Sequence, residues 1–166
     1  MYEGWLEWGE AQAKELCASD EPEVRKRAHY RLGLIYQAKG KLQDSLSHFY
    51  QVIKVDPDFY KQQVSLRIAE ICYKLNKIEE SFGAMKLVEN DLSETDKYML
   101  HLLKGKCYDK IRKYIQAVNE YRQALDISVK NNLPDQVVGQ IEFRLGWSVI
   151  RSKVNHQEGV EHLRKA

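Results

Sequence analysis

Proline and glycine are scarce in this chain, with three prolines and nine glycines among 166 residues. An all-β domain needs turn residues about every ten positions, and so few chain breakers exclude that class. The residues that dominate instead are good helix formers: Leu, Lys, Glu, Gln, Ala and Arg. The composition therefore predicts an all-α fold.

A surplus of charge is also missing. The chain has 26 Lys and Arg residues against 24 Asp and Glu residues, which gives a formal net charge of +2. Proteins that bind nucleic acid or anionic membranes carry an excess of basic residues that this chain lacks. We therefore expect no nucleic-acid partner.

Long apolar runs are absent as well. No stretch reaches the roughly 18 apolar residues of a membrane span. The first five residues, Met-Tyr-Glu-Gly-Trp, have neither the basic start nor the apolar centre of a signal peptide. The sequence predicts no membrane insertion and an intracellular location, cytoplasmic or nuclear.

Cysteine is rare and irregularly placed. Cys17, Cys72 and Cys107 are odd in number and follow no metal-like spacing, which argues against both a disulfide framework and a zinc cluster. We expect reduced, buried thiols.

Motifs of catalysis are missing too. The chain has no phosphate-binding Gly-rich loop, no G-x-S-x-G and no H-E-x-x-H. His156, Glu158 and His162 come nearest to a ligand cluster, but the two histidines do not share a helical face well, and we interpret this segment as solvated surface. The sequence predicts no cofactor, no metal and no enzymatic activity.

What the chain does contain is a repeat, present four times. A first segment has a small residue at its centre, and a second segment has a small residue followed four positions later by a large apolar one. The first segments are centred on Gly33, Ala69, Gly105 and Gly146. In the second segments the small and large residues are Ser45 and Phe49, Ser81 and Met85, Ala117 and Tyr121, and Gly159 and Leu163. The units follow one another at intervals of 36, 36 and 41 residues.

This pattern resembles the tetratricopeptide repeat, whose signature is W-x2-L-G-x2-Y, then A-x3-F, then P, over about 34 residues. The first unit fits it best, through Leu32, Gly33, Tyr36, Phe49 and Pro57. The second unit has Ala, Cys and Met where the signature has Gly, Tyr and Phe, and the opening Trp is missing from all four units. The resemblance implies a right-handed superhelical solenoid of antiparallel helix pairs, and a role as a protein-interaction scaffold or adaptor.

Spacing and capping signals predict nine helices, near 2–17, 22–38, 42–54, 58–74, 78–90, 95–110, 114–131, 135–152 and 156–166. Asp20-Glu-Pro22-Glu23 predicts a capping box with proline in the first turn of the second helix. Gly40 and Asn76 are expected between the two helices of a pair, where a left-handed residue is tolerated. Within one solenoid over 1–166, we expect the second helix of a partial repeat at 1–21 and repeats at 22–57, 58–93, 94–133 and 134–166. The junctions before Gly33 and Gly146 are five residues longer than the other two, so these units are similar to the lengthened repeats of the family. Because both ends cut through repeats, we expect a fragment of a longer protein.

The resemblance also predicts where a partner binds. Stacked repeats place the first helix of each pair on the concave side, and helical periodicity counted from each small residue gives the side chains that face this groove. They are Arg27, Tyr30, Leu34, Gln37, Gln63, Leu66, Glu70, Tyr73, Met99, Leu102, Lys106, Asp109, Gln140, Phe143, Trp147 and Ile150. Leu34, Leu66 and Leu102 fit either the groove or the core between repeats. Such a lining suits an amphipathic helix or an extended peptide of a partner protein.

The family has members with other roles, which this sequence fits to different degrees. The chaperone-binding members of the family hold a C-terminal carboxylate with Lys, Asn and Arg residues that the corresponding helices here lack, so we expect no binding of chaperone tails. The chain also suits a regulatory or targeting domain of a larger enzyme or complex subunit. Related helical repeats read single-stranded RNA, a role that the near-neutral charge disfavours.

Overall fold

The computed structural model describes the backbone of residues 2–165 and the side chains of residues 4–153, 157 and 164. Residues 2–165 contain eight α-helices and no strand. The helices are α1 (Tyr2–Leu16), α2 (Pro22–Ala38), α3 (Leu42–Val55), α4 (Lys61–Lys74), α5 (Ile78–Lys86), α6 (Lys97–Lys110), α7 (Tyr114–Lys130) and α8 (Asp135–Lys165). The predicted all-α class is confirmed.

The helices form two compact units, Met1–Val88 and Glu89–Ala166. In the first unit α1 packs on α2, α2 on α3, α3 on α4 and α4 on α5. In the second unit α6 packs on α7, and α7 packs on α8. Each unit is thus built from helices that contact their neighbours in the chain, as expected for a helical repeat.

Close approach between consecutive helices depends on the small residues that the repeat places there. A Cβ atom added to Gly33 would lie 2.7 Å from the ring of Phe49, and one added to Gly105 would lie 2.5 Å from the ring of Tyr121. Both rings are fully buried. The aromatic side chain therefore occupies the space that a Cβ would need, which fixes the distance between the paired helices.

Buried hydroxyl groups reinforce two of these contacts. Ser45 Oγ donates a hydrogen bond of 2.6 Å to the carbonyl of Gly33, and Ser81 Oγ donates one of 2.7 Å to the carbonyl of Ala69. Each bond therefore joins the small residue of a second segment to that of the first. The interval of 12 positions in the sequence thus corresponds to a direct contact.

The turns inside the helix pairs follow one design. Gly40, Asn76 and Arg112, spaced 36 residues apart, all have left-handed backbone with φ between 61° and 73°. The amide of the following lysine donates to a carbonyl five residues earlier in each case, which caps the end of the first helix. The left-handed residues expected at Gly40 and Asn76 are confirmed.

The predicted helix boundaries are wrong at several ends. Helix α4 begins at Lys61 rather than near 58, because Asp56 Oδ1 accepts a hydrogen bond from the Asp58 amide and Tyr60 has left-handed backbone. Helix α5 ends at Lys86 rather than near 90. At α2, Pro22 takes the first turn as expected, but the N-cap is Glu21 with no side-chain cap, so the predicted capping box is absent.

The largest difference concerns the last repeat. Two helices were expected at 135–152 and 156–166, whereas α8 is continuous from Asp135 to Lys165. The segment 152–156 contains neither Gly nor Pro, so nothing local interrupts the helix. No described atom lies within 4 Å of the position that a Cβ on Gly146 would take, so this glycine lacks the aromatic partner that Gly33 and Gly105 have. Gly159 and Leu163 lie outside the side chains that the structure describes.

Alanine substitutions separate these two kinds of glycine. We expect Gly33→Ala and Gly105→Ala each to lower the free energy of unfolding by about 1–3 kcal/mol, because the added methyl group overpacks a buried ring. Gly146→Ala is the matched control, and it should be neutral or stabilising by up to about 1 kcal/mol, because Ala is the better helix former. Chemical denaturation followed by circular dichroism measures all three, and equal stability of the three variants would contradict the packing argument.

The half-buried carboxylate of Glu10 helps to hold α1 against α2. Glu10 forms ion pairs with Lys14, at 2.7 Å, and with Lys39, and it accepts a hydrogen bond of 3.0 Å from the Tyr36 hydroxyl. The bonds from Lys14 and Lys39 are the main reason that the pKa of Glu10 falls from 4.5 to about 2. Ala13 packs beside this network against Leu32.

The Glu10 network predicts a specific sensitivity to acid. Because the folded protein lowers the pKa of Glu10, its contribution to stability is complete above pH 4.5 and is lost as the pH falls towards about 2. Glu10→Gln should be less stable than the parent at pH 7, and the difference should shrink progressively below pH 4.5. Urea titrations at several pH values measure it, and a difference that does not depend on pH would refute the assignment. The exposed Glu15→Gln variant serves as the control.

Candidate protein-binding surface

The sixteen predicted groove residues fall into three classes of exposure. Seven are exposed: Arg27, Gln63, Met99, Gln140, Phe143, Trp147 and Ile150. Eight are half-buried: Tyr30, Leu34, Gln37, Leu66, Glu70, Tyr73, Lys106 and Asp109. The remaining one, Leu102, is buried.

In the first unit, several of these residues are engaged by the unit's own packing. The Tyr30 ring lies 5.2–6.1 Å from the rings of Phe49, Phe59 and Tyr60. Gln37 accepts a hydrogen bond of 2.8 Å from Arg67. These contacts join α2 to the segment before α4 and to α4 itself, so here the candidate residues help to hold the unit together.

In the second unit, Leu102 requires a correction. Its side chain is only 9 % exposed, and it packs in a core cluster with Ala117, Tyr121 and Ile141. It therefore belongs to the core between α6, α7 and α8 and offers nothing to a partner. Periodicity could not distinguish the two roles, because core and groove positions lie on adjoining faces of the same helix.

Helix α8 carries the most exposed apolar side chains of the set. Phe143, Trp147 and Ile150 are 67 %, 48 % and 55 % exposed. The rings of Phe143 and Trp147 lie one turn apart, 6.3 Å between centroids and at 72°, in edge-to-face contact. Apolar residues at these spacings form one stripe along the helix, and solvent covers it in this structure.

A hollow of about 170 Å³ lies beside this stripe. It is lined by Asp109 from α6 and by Phe143, Arg144, Trp147 and Arg151 from α8. The Arg151 guanidinium lies 5.7 Å from the Trp147 ring and 5.9 Å from the Tyr114 ring, within the range of cation–π attraction. The hollow therefore combines aromatic surface with two permanent positive charges.

Asp109 has a structural role at the base of this hollow. Its carboxylate accepts hydrogen bonds from the Tyr121 hydroxyl, at 2.9 Å, and from Ser148 Oγ, at 2.7 Å. Burial raises the pKa of Tyr121, and the Asp109 charge raises it further. Asp109 thus links α6 to α7 and α8, and its acceptor atoms are largely used within the protein.

Sequence reasoning missed Arg144 and Arg151. The groove positions were counted at fixed offsets from Gly146, and these arginines lie two residues before it and five residues after it. A usable signal existed, because Arg151 follows Trp147 by one helical turn and Arg144 by two. His156, Glu158 and His162, interpreted from the sequence as solvated surface, lie outside the side chains that the structure describes.

Family comparison agrees with the repeat. A tetratricopeptide repeat model matches residues 27–59, and a second tetratricopeptide repeat model matches residues 100–131. The first match contains the Gly33–Phe49 contact, and the second contains the Gly105–Tyr121 contact. The chain is a tetratricopeptide repeat protein.

Solved structures share the fold of this tetratricopeptide repeat protein. The MamA RS-1 ArsTM double mutant superposes with a TM-score of 0.75 at 20% identity, covering 99% of this chain and 84% of that one. MamA 41-end from Desulfovibrio magneticus RS-1 superposes with a TM-score of 0.64 at 18% identity, covering 96% of this chain and 92% of that one. BtubC from P. vanneervenii superposes with a TM-score of 0.67 at 17% identity, covering 91% of this chain and 65% of that one. At these identities the likeness establishes the fold alone.

Within the described part of this tetratricopeptide repeat protein, no helix combines the length and the apolar character that crossing a membrane requires.

The role of Asp109 can be tested by stability. Asp109→Ala leaves the Tyr121 and Ser148 hydroxyls without their acceptor, and we expect it to lower the free energy of unfolding by about 1–3 kcal/mol. Asp126→Ala removes an exposed carboxylate from α7 and should change stability by less than about 0.5 kcal/mol. Thermal and urea unfolding of both variants measure the difference. An Asp109→Ala protein as stable as the control would show that the two hydrogen bonds contribute little.

Proposed function

We propose that this tetratricopeptide repeat protein is a non-enzymatic interaction module that binds a segment of a partner protein along α8. The binding surface consists of the Phe143–Trp147–Ile150 stripe and the hollow beside it. The proposed ligand is an amphipathic helix or an extended peptide in which large apolar side chains are flanked by Asp or Glu. The tetratricopeptide repeats support a protein-interaction scaffold in general, and the α8 surface is the specific part of this proposal.

The observation that carries the proposal is the exposure of two large aromatic rings in contact with each other. Burying apolar surface of this kind contributes about 25 cal/mol per Å² removed from water, so leaving it exposed forgoes that stabilisation. Trp and Arg are also the residues most often found at the energetic centres of protein interfaces. Trp147 and Arg151 lie one turn apart, with the guanidinium 5.7 Å from the ring centroid, and so provide both in one place.

The charges beside the rings define the character of the ligand. Arg144 and Arg151 line the hollow, and the carboxylate there, Asp109, already accepts two internal hydrogen bonds. An incoming carboxylate would therefore meet the Arg151 guanidinium, which could bind it in bidentate fashion, beside Arg144, which also contacts the Tyr121 hydroxyl. An apolar side chain beside that carboxylate would contact Phe143 and Trp147. This complementarity favours acidic and apolar segments over basic ones.

Selection from a displayed library of random peptides tests the proposal. We expect the enriched peptides to carry a large apolar residue next to Asp or Glu. In fluorescence polarisation with one such peptide, the double variant Phe143→Ala and Trp147→Ala should bind at least about thirtyfold more weakly, the loss expected for a hot spot. Arg151→Met should reduce the preference for acidic peptides, and added salt should weaken binding to the parent protein.

The matched control is Ile115→Ala with Val129→Ala, which removes two exposed apolar side chains from α7. This control should retain full affinity. If the selected peptides bind the α8 double variant as tightly as the parent, while that variant keeps its helicity, the binding surface lies elsewhere.

A further inference from the structure

The first unit contains a cluster of three metal-binding side chains that the sequence spacing did not reveal. Cys17 directly follows α1, His29 lies on α2 and His48 lies on α3. Cys17 Sγ is 3.5 Å from His29 Nδ1, which is 2.9 Å from His48 Nδ1. One ligand atom from each residue lies within 4.8 Å of the other two, and all three residues are half-buried.

Hydrogen bonding alone accounts poorly for this cluster. A ring nitrogen carries either one proton or one lone pair, yet His29 Nδ1 faces two partners. Whether it donates or accepts, it can form a full two-centre hydrogen bond with only one of them. A central cation would resolve the conflict, because it accepts one lone pair from each of the three atoms.

The sulfur–nitrogen distance also suits a tetrahedral ion. With zinc–nitrogen bonds of about 2.0–2.1 Å and zinc–sulfur bonds of about 2.3 Å, ligand atoms at tetrahedral angles lie roughly 3.3–3.6 Å apart. The observed sulfur–nitrogen distance of 3.5 Å falls in this range. The nitrogen–nitrogen distance of 2.9 Å is shorter than this range, and the Cys17 and His48 ligand atoms lie within 4.8 Å of each other, so a bound ion would require the side chains to adjust.

Two cations act on these histidines, but both are held by other groups. Burial lowers the pKa of His29, and the charge of Arg25 lowers it further. The Arg25 guanidinium itself donates hydrogen bonds to the carbonyls of Ser19 and Asp20. Lys14 acts weakly on His48, and it forms an ion pair with Glu10. A thiolate at Cys17 would offset their repulsion of a metal ion.

We propose that Cys17, His29 and His48 form a Zn²⁺ site. One thiolate and two imidazoles match the borderline softness of zinc, and the fourth position is left for water or an external ligand. Because the three residues belong to α1, α2 and α3 or follow them directly, bound zinc would fasten the first helix to the first full repeat. Zinc would then stabilise the first unit as any ligand of the folded state does.

Cobalt substitution tests the site without any variant. The reduced, metal-free protein, titrated with Co²⁺, should show the visible bands of tetrahedral cobalt and a thiolate-to-cobalt charge-transfer band at a stoichiometry of one. Zinc should displace the cobalt. Absence of the charge-transfer band overturns the proposal, because it means that Cys17 is not a ligand.

Variants then assign the ligands. In competition with a chromophoric chelator, Cys17→Ser, His29→Gln and His48→Gln should each bind Zn²⁺ at least about tenfold more weakly. His101→Gln, which alters a half-buried histidine of the second unit, should bind zinc as the parent does, and helicity measured with excess chelator shows which variants are folded. Zinc should raise the melting temperature of the parent and of His101→Gln, and that of the three cluster variants much less. Equal affinity in all four variants overturns the proposal and identifies adventitious surface binding.

Discussion

The close contact between a small residue and an aromatic ring is the constraint on which the rest of this structure depends. Gly33 against Phe49 and Gly105 against Tyr121 leave no room for a Cβ, so the paired helices lie closer than a larger residue in place of either glycine would allow. That distance determines where every other side chain of the pair lies. It brings Ser45 within hydrogen-bond distance of a buried carbonyl, and it brings the Tyr121 hydroxyl to Asp109. Packing thus places the polar contacts.

The proposed binding surface lies where this constraint is not met. Gly146 occupies the same position in its segment as Gly33 and Gly105 do in theirs, yet no ring among the described side chains packs against it. The flanking residues of α8, Phe143 and Trp147, pack against each other and face solvent. The first and third repeats bury Phe49 and Tyr121 between helices, whereas α8 exposes Phe143 and Trp147.

Local arrangement of charge matters more here than the net charge. The chain is almost neutral, but two arginines line one hollow while its single carboxylate is engaged by Tyr121 and Ser148. In the first unit, Glu10 is similarly surrounded by Lys14, Lys39 and Tyr36. At Glu10 these hydrogen bonds lower the pKa and keep the carboxylate ionised, and at Asp109 the two hydrogen bonds join three helices, so both acidic groups serve the fold.

The sequence by itself determined the helical class, the intervals of the repeat, the small-to-large pairing and the left-handed turns at Gly40 and Asn76, because each depends on residues close in the chain or on a strict period. Only the tertiary structure decided that Leu102 is core, that α8 continues past residue 152, and that Arg144 and Arg151 share a hollow with Asp109. It alone joined Cys17, His29 and His48, which lie 12 and 19 residues apart. These outcomes depend on how helices rotate and pack against one another, and a one-dimensional pattern does not specify that rotation.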